Sequence, residues 1–314
     1  MAQSTWVSNG TYFQSPILSK DVRTQASAMF LFRQFTDLKQ ALGARRGDTV
    51  EFTKRLLIDT RGGTLVETNT IPENTIKFTQ ESVVVTEYGN AIRNTLKAEI
   101  LAQIDLPENF RKGIAIDMRD TIDNAIATEF KTAKYKVVCT ATGGIATTSN
   151  GTATATASNN PTDTNIRKIV SFMKKNWIPT VSGGSHYIGI LSVEAHEGVY
   201  NSLQAIAQYT DPNFRFKSES GSYYGVRFME DTNILLNTIG NGSAFGEGLI
   251  FGDEAVCEAV AMIEELRYEE KDVGRDKKLA WLGILGFKKI WDAVNDNQNS
   301  TTKGTERIVH ITSA

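Results

Sequence analysis

Alternation of apolar and polar residues begins at Thr49, where Val50 and Phe52 are interleaved with Thr49, Glu51 and Thr53 after Gly47-Asp48. A period of two belongs to a half-buried strand, so a strand starts near Thr49. Turn formers follow at Asp59-Thr60-Arg61-Gly62-Gly63 and at Pro72-Glu73-Asn74, after which Ile76 and Phe78 resume the alternation and Val83-Val84-Val85 ends it. Residues 49–87 therefore read as one long hairpin. A lone two-stranded ribbon is marginal in water, and its open edges invite association unless something covers them. The pattern allows two placements, across another subunit or domain or back on the chain's own core, and does not separate them.

From Pro107 the period changes. Phe110, Ile114, Met118, Ile122, Ile126 and Phe130 recur every four residues with charges between them, which is one apolar stripe on a helix over residues 107–133. At 1.5 Å per residue that helix is ~40 Å long, well beyond the usual 11 to 12 residues, and its stripe needs a broad sheet to pack on. Asp117, Asp120 and Asp123 suggest paired carboxylates, but they step along one face at intervals of three without a histidine or further carboxylates nearby. A solvated face is the expectation.

The remaining segments are shorter. The first 45 or so residues are polar and weakly patterned, an extended arm with one short helix around residues 26–42. Residues 140–162 contain no charge and are dominated by Thr, Ala, Ser, Gly and Asn; Thr alternating with Ala over residues 152–157 and a turn at Ser149-Asn150-Gly151 favour a surface strand-turn-strand over disorder. Ile166, Ile169, Val170, Met173 and Trp177 make a helix over residues 165–177, with Thr164 able to cap it and Pro179 stopping it. A strand at residues 187–191 runs into a helix at Ser192. Further strands are expected at residues 225–229, 249–251, 259–268, 279–290 and 307–311, with a helical turn at residues 253–256; Gly283 and Gly286 speak against helix in the fourth of these. The class is α+β, without an internal repeat.

Composition removes several function classes. The 314 residues carry 34 basic and 36 acidic side chains, and this balance argues against a protein whose main work is gripping nucleic acid. A chain that is 40% hydrophobic can build a sizeable core in one elaborated domain or two. Its longest uncharged apolar stretch, residues 279–287, is about half of what a membrane-spanning helix needs, and the start lacks the pattern of a secretory signal, so a cytoplasmic origin is expected. Cys139 and Cys257 are far apart and lack zinc spacing. They read as two small buried hydrophobes.

Catalytic signatures fail on spacing. Gly183-Gly184-Ser185-His186-Tyr187 has Tyr187 where a nucleophile elbow needs its last glycine. Gly240-Asn241-Gly242 opens like a dinucleotide loop, but position 245 is Phe. His196-Glu197 begins like a zincin helix, yet Tyr200 stands where the second ligand belongs. With His186, His196 and His310 as the whole histidine complement, neither a catalytic residue, a metal nor a cofactor is implied.

Several strings in their running order resemble a tailed-bacteriophage major capsid protein, in particular the short-tailed phage coat proteins built on the Hong Kong ninety-seven, or Johnson, fold. They are Gly47-Asp48-Thr49-Val50-Glu51-Phe52, Glu87-Tyr88-Gly89-Asn90-Ala91, residues 120–127, Tyr224-Gly225-Val226-Arg227-Phe228 with Asp231-Thr232-Asn233, Leu249-Ile250-Phe251-Gly252, Asp272-Val273-Gly274-Arg275 and Leu279-Ala280-Trp281-Leu282-Gly283. The resemblance covers residues 47–290. It implies an N-terminal arm (residues 1–46), an extended E-loop hairpin (47–88), a peripheral domain with a spine helix and the Thr-rich hairpin (89–164), an axial domain (165–255), and C-terminal strands returning to both (256–314).

The implied function is structural: pentamers and hexamers closing into an icosahedral shell around double-stranded DNA, assembled in the host cytoplasm, with a portal and possible scaffolding or decoration proteins as partners, no membrane, and no sequence-specific grip on the DNA. Arg61, Gly62, Gly63, Pro72 and Glu73, at the hairpin's turns, are the candidate intersubunit contacts. Some relatives cross-link subunits through an E-loop lysine and an asparagine; Lys54 and Lys77 lie in the hairpin, but nothing around them identifies such a pair. The rivals are an encapsulin-like compartment with the same fold, an enzyme using carboxylates that spacing does not reveal, and an adhesin-like module displaying the Thr-rich segment.

Overall fold

Two sheets and one long helix account for most of the regular secondary structure among the described residues. The computed structural model describes residues 31–39, 47–58, 62–67, 70–71, 73–102, 104–140, 143–153, 159–181, 184, 186–207, 222–235, 245–292 and 305–312. The strands are β1 (Asp37–Lys39), β2 (Thr49–Arg55), β3 (Phe78–Val84), β4 (Thr86–Thr95), β5 (Tyr135–Cys139), β6 (Ile145–Thr148), β7 (Tyr187–Ser192), β8 (Ser222–Tyr223), β9 (Val226–Asp231), β10 (Gly248–Phe251), β11 (Cys257–Lys271), β12 (Asp276–Lys288) and β13 (Ile308–Ile311). The helices are α1 (Leu96–Leu101), α2 (Leu106–Lys131), α3 (Asp163–Lys175) and α4 (Val193–Ala207). The first sheet runs β1-β11-β12-β4 and the second β6-β5-β13-β10-β7-β9-β8, while β2 and β3 pair with each other. The α+β class follows from the sequence as expected.

Helix α2 forms where the four-residue stripe lies. Asp105 caps it by accepting from the Glu108 N–H at 3.0 Å, and Pro107 sits in its first turn, where a missing N–H costs nothing. Ile114, Ile122, Ile126 and Phe130 are buried, and Phe130 meets Phe251 at 4.8 Å between ring centroids. Each such burial contributes roughly 1.5 to 3 kcal/mol. Of the aspartates on this helix Asp120 is exposed and Asp117 half-buried, whereas Asp123 departs from the solvated face read from spacing. Asp117 accepts from Trp281 Nε1 at 2.8 Å and from Asn90 at 3.1 Å, Asp120 accepts from Asn233 at 2.6 Å, and Asp123 is buried. Asp123 takes the backbone N–H groups of Leu31, Phe32 and Arg33 at 3.1, 2.8 and 3.3 Å, and burial raises its pKa against those hydrogen bonds.

That clamp changes the arm as well. In place of the helix expected at residues 26–42 there is a single 3-10 turn at Phe32–Phe35 and the short strand β1, parallel to the start of β11. Residues 26–30 and 40–42 lie outside the described residues. Phe32 is fully buried, 5.8 Å from Phe130, and Arg33 reaches Glu258 at 2.9 Å and Glu264.

The seven-stranded sheet is covered on both faces. Tyr187, Leu191, Ile250, Val309 and Ile311 face α3 and α4, while Ile188, Ile190, Leu249, Phe251 and Ile308 face α2 and the arm. Such strands read as continuous apolar runs. Helix α3 begins two residues earlier than expected, because Thr162 and Asn165 form a capping box, and it ends at Lys175, leaving Trp177 exposed instead of on the buried stripe. The Thr-rich segment supplies β6, which pairs back on β5 across residues 140–144 and not across Ser149-Asn150-Gly151; residues 154–158 of the strand expected beyond that turn lie outside the described residues. Residues 253–256 form a turn and not a helical one.

A seam of charge lies between the two sheets, on the α2 side of the second. His310 Nε2 is 2.5 Å from Glu247, its Nδ1 is 2.6 Å from Lys136 Nζ, Lys131 is 3.5 Å from Glu247, and Lys289 pairs with Glu306 at 2.9 Å. Burial pulls Lys136 down to about 8 and holds His310 below its ordinary 6.5, opposed by the hydrogen bond to Glu247 and reinforced by the adjacent Lys136 charge. Unfolding frees His310 to take up a proton, so the histidine makes the fold lose stability as pH falls below about 6.5. Asp123, Glu129 and Glu306, whose pKa values burial raises, act in the opposite direction. Comparing melting temperatures at pH 7.5 and 5.5 in wild type and His310→Gln isolates the histidine: the acid-induced drop in wild type is expected to exceed that in the variant, and equal drops would refute the assignment.

Candidate functional site: a projecting hairpin

The hairpin formed by β2 and β3 holds its register from Thr49 opposite Val84 to Arg55 opposite Phe78. The period-two pattern decides which face is anchored. Phe52 and Val83 are buried against Cys257, Ala259 and Ile290, with Val50, Val85 and Trp291 at the margin. Close approach to β12 requires Gly286, since a Cβ there would stand 2.5 Å from the Val84 carbonyl oxygen. Lys288 closes the other side of the root, donating to the Ser82 carbonyl at 2.9 Å and pairing with Glu81 at 2.5 Å.

Lys54, one of the two hairpin lysines that the sequence could not tie to a cross-linking pair, points into this root. It is 3% exposed, donates to the Ile290 carbonyl at 2.6 Å and lies 5.6 Å from the centroid of Trp291. Arg307 stacks on the same ring at 4.2 Å. The root is therefore fixed by an apolar cluster and a buried ammonium, and it pins the hairpin's direction to the first sheet.

Past the root the hairpin leaves its own core. Leu57, Ile58, Leu65, Val66, Ile71, Ile76 and Phe78 are all about half exposed or more, as is Val84 on the outward side of the root. Scattered exposed apolar residues are ordinary, but eight on one ribbon are the mark of a contact surface. Of the candidate contacts, Gly62, Gly63 and Glu73 are exposed, with open space around both glycines, whereas Arg61 and Pro72 lie outside the described residues. The apolar residues flanking those turns were missed because loop positions 57, 58, 65, 66 and 71 carry no periodicity.

His196 is 3.6 Å from Glu230 and Tyr200 is exposed; Gly183, Ser185 and residues 240–242 lie outside the described residues. Both cysteines are buried, and burial pushes the Cys139 thiol up to about 12. Among the described residues no cluster of three or more His, Cys, Asp or Glu side chains is placed to hold a metal ion, and no helix is long and apolar enough to cross a membrane.

Neither a protein-family model nor a curated protein matches the sequence. Solved structures do. The capsid of Ralstonia phage GP4 superposes with a TM-score of 0.67 at 16% identity over 96% of this chain and 97% of its own, and the head structure of Helicobacter pylori bacteriophage KHP40 with 0.70 at 12% over 98% and 96%. The chain has the tailed-phage capsid fold. The cyanophage Pam1 capsid agrees, with a TM-score of 0.66 at 16% identity over 97% of this chain and 98% of its own. These matches each cover 96 to 98% of this chain. Identity this low carries the architecture and not individual residues.

Proposed function

We propose that the chain is the major capsid protein of a tailed phage, a structural and non-enzymatic subunit that assembles into pentamers and hexamers and closes an icosahedral shell around double-stranded DNA. End-to-end likeness to phage capsid structures supports this reading, and the ribbon of uncovered apolar residues is the observation within the chain that carries it. In this reading β2 and β3 are the E-loop, α2 is the spine helix of the peripheral domain, and residues 165–255 form most of the axial domain. Arg61, Gly62, Gly63, Pro72 and Glu73 lie on the part of the hairpin that crosses a neighbouring subunit. The protein's location is the virion, and its partners are other copies of itself, a portal and any scaffolding or decoration proteins. An encapsulin-like shell shares the fold, but the solved structures named above are phage capsids, which favours the phage reading.

Negative-stain microscopy and light scattering of the purified chain across a concentration series test the proposal. Shells, tubes or ring-shaped capsomers are the expected products. A species that stays monomeric at every concentration, also when co-expressed with the proteins encoded beside it, would refute it.

A further inference from the structure

Strand β11 is paired on one side with β12 from Cys257 to Lys271, and on the other with β1 over Cys257–Ala259 alone. Among the described residues nothing pairs with that outer edge from Val260 to Lys271, so every second residue there leaves its N–H and C=O open. The register shifts of this strand fall between Val260 and Glu265; from Glu265 opposite Leu282 to Lys271 opposite Asp276 its pairing with β12 is unbroken. That run is ~24 Å of regular edge. Edges that stay single are commonly very short, bulged or broken by proline, and the run from Glu265 to Lys271 has none of these features.

The side chains of the run are self-complementary. One face carries Glu265, Arg267, Glu269 and Lys271, all exposed and alternating in sign. In the free chain they pair along their own strand, Arg267 with Glu265 at 2.5 Å and Lys271 with Glu269 at 3.3 Å, and exposed pairs of this kind contribute little. The other face carries Leu266, Tyr268 and Glu270, with Tyr268 Oη donating to Glu270 at 2.7 Å. Helix α2 covers that face over β12, where Trp281 is buried and bonds Asp117, but leaves Leu266 49% and Tyr268 57% exposed. An identical strand laid antiparallel about an axis at Tyr268 sets Glu265 opposite Lys271 and Arg267 opposite Glu269, twice over. The two tyrosines then face each other, with Leu266 of each copy beside them. Every directly opposed pair on the charged face is of opposite sign, whereas parallel in-register pairing would set like against like.

We propose that the outer edge of β11 is a two-fold contact with a second copy of this chain, in which two β11 strands pair antiparallel about Tyr268 and join their sheets into one. The charges select this occupant. Nucleic acid would meet the carboxylates of Glu265, Glu269 and Glu270, and a peptide of single sign would meet its own charge at alternate residues. The strand whose charges answer this one position by position is the same strand reversed. The pairing stands on the edge itself and rests on the capsid reading only for its place in the shell. A head-to-tail contact made by the β2–β3 hairpin closes one ring but does not tie that ring to the next. An icosahedral shell has two-fold axes between its rings, and a self-complementary edge fits there.

Cross-linking of the full-length chain with a short thiol-specific bifunctional reagent tests it, since Cys139 and Cys257 are buried. Tyr268→Cys is expected to give covalent dimers, because residues directly opposed across the axis lie about 5 Å apart at Cβ. Glu265→Cys by itself is expected to give none, its two copies being about 20 Å apart along the edge, whereas a mixture of Glu265→Cys and Lys271→Cys chains is expected to link. In sedimentation, Arg267→Glu is expected to weaken the dimer at least tenfold, and Arg267→Glu with Glu269→Arg to restore it to within threefold of wild type, with unchanged melting temperatures. Dimers from Glu265→Cys alone would overturn the register. Absence of dimers from both Tyr268→Cys and the mixture would overturn the contact and leave the edge to another partner. Microscopy of the same samples keeps the two readings apart: covalent dimers at position 268 from a chain that forms no ring, tube or shell sink the capsid proposal alone, and shells that yield no such dimers sink this one alone.

Discussion

Leu65→Glu combined with Val66→Glu is expected to abolish assembly while the free chain melts within about a degree of wild type. The two residues are 59% and 60% exposed, so their replacement removes no packing from the chain's own core. Exposed substitutions away from caps and ion pairs usually stay within about 0.5 kcal/mol. A neighbouring subunit would meet two carboxylates where it needs apolar surface, and taking unpaired charge out of water costs several kcal/mol per ion. That cost recurs at every contact in a shell, so the loss is expected to be complete. Sedimentation of the purified variant beside wild type checks it, with thermal melts as the control on folding. Shells of normal size from a variant with an unchanged melt would remove the hairpin from the interface.

Breaking the ion pair between the sheets acts on the fold itself. Glu306 is fully buried and Lys289 is 8% exposed; the lysine bonds Glu306 at 2.9 Å and the Thr132 carbonyl at 3.3 Å. Glu306→Ala strands an ammonium in the core and is expected to cost about 3 to 5 kcal/mol. Adding Lys289→Met to Glu306→Leu removes both charges and is expected to recover most of that loss, short of the part due to the Lys134 N–H, which now bonds Glu306 at 3.4 Å. Urea denaturation of the single and double variants gives the two numbers. A double variant as unstable as the single one would show that the site depends on shape and not on charge.

Elements defined by local pattern were legible in the sequence. The stripe on α2, the alternation of β2 and the long strands β11 and β12 each follow from spacing within one segment, and Gly283 and Gly286 rightly excluded helix from β12. What spacing could not supply was every feature whose partners are distant in the chain. Asp123 reads as a surface residue until Leu31, Phe32 and Arg33 are brought to it from some ninety residues away. The same holds for Lys136, Glu247, Lys289, Glu306 and His310, which no local rule joins. The arm was misread because residues 31–39 have ordinary helix propensity, and a buried phenylalanine together with three backbone hydrogen bonds to one carboxylate outweighs it. At the candidate interface the hairpin itself was foreseen, whereas its apolar residues, lying in irregular loops, were not.

Strand β13 is an interior strand of the seven-stranded sheet, parallel to β5 on one side and antiparallel to β10 on the other. Its four residues begin at Ile308, so β5 waits for a neighbour made more than 160 residues later. Bringing such remote segments together slows folding, because loop closure must precede the contacts that reward it. The consequence concerns timing during synthesis. A nascent chain cannot complete this sheet until residues 308–311 have left the ribosome, and fragments that stop short of them lack an interior strand. Completion of the sheet thus orders events in the cell, and under the capsid proposal a finished subunit would precede a finished lattice.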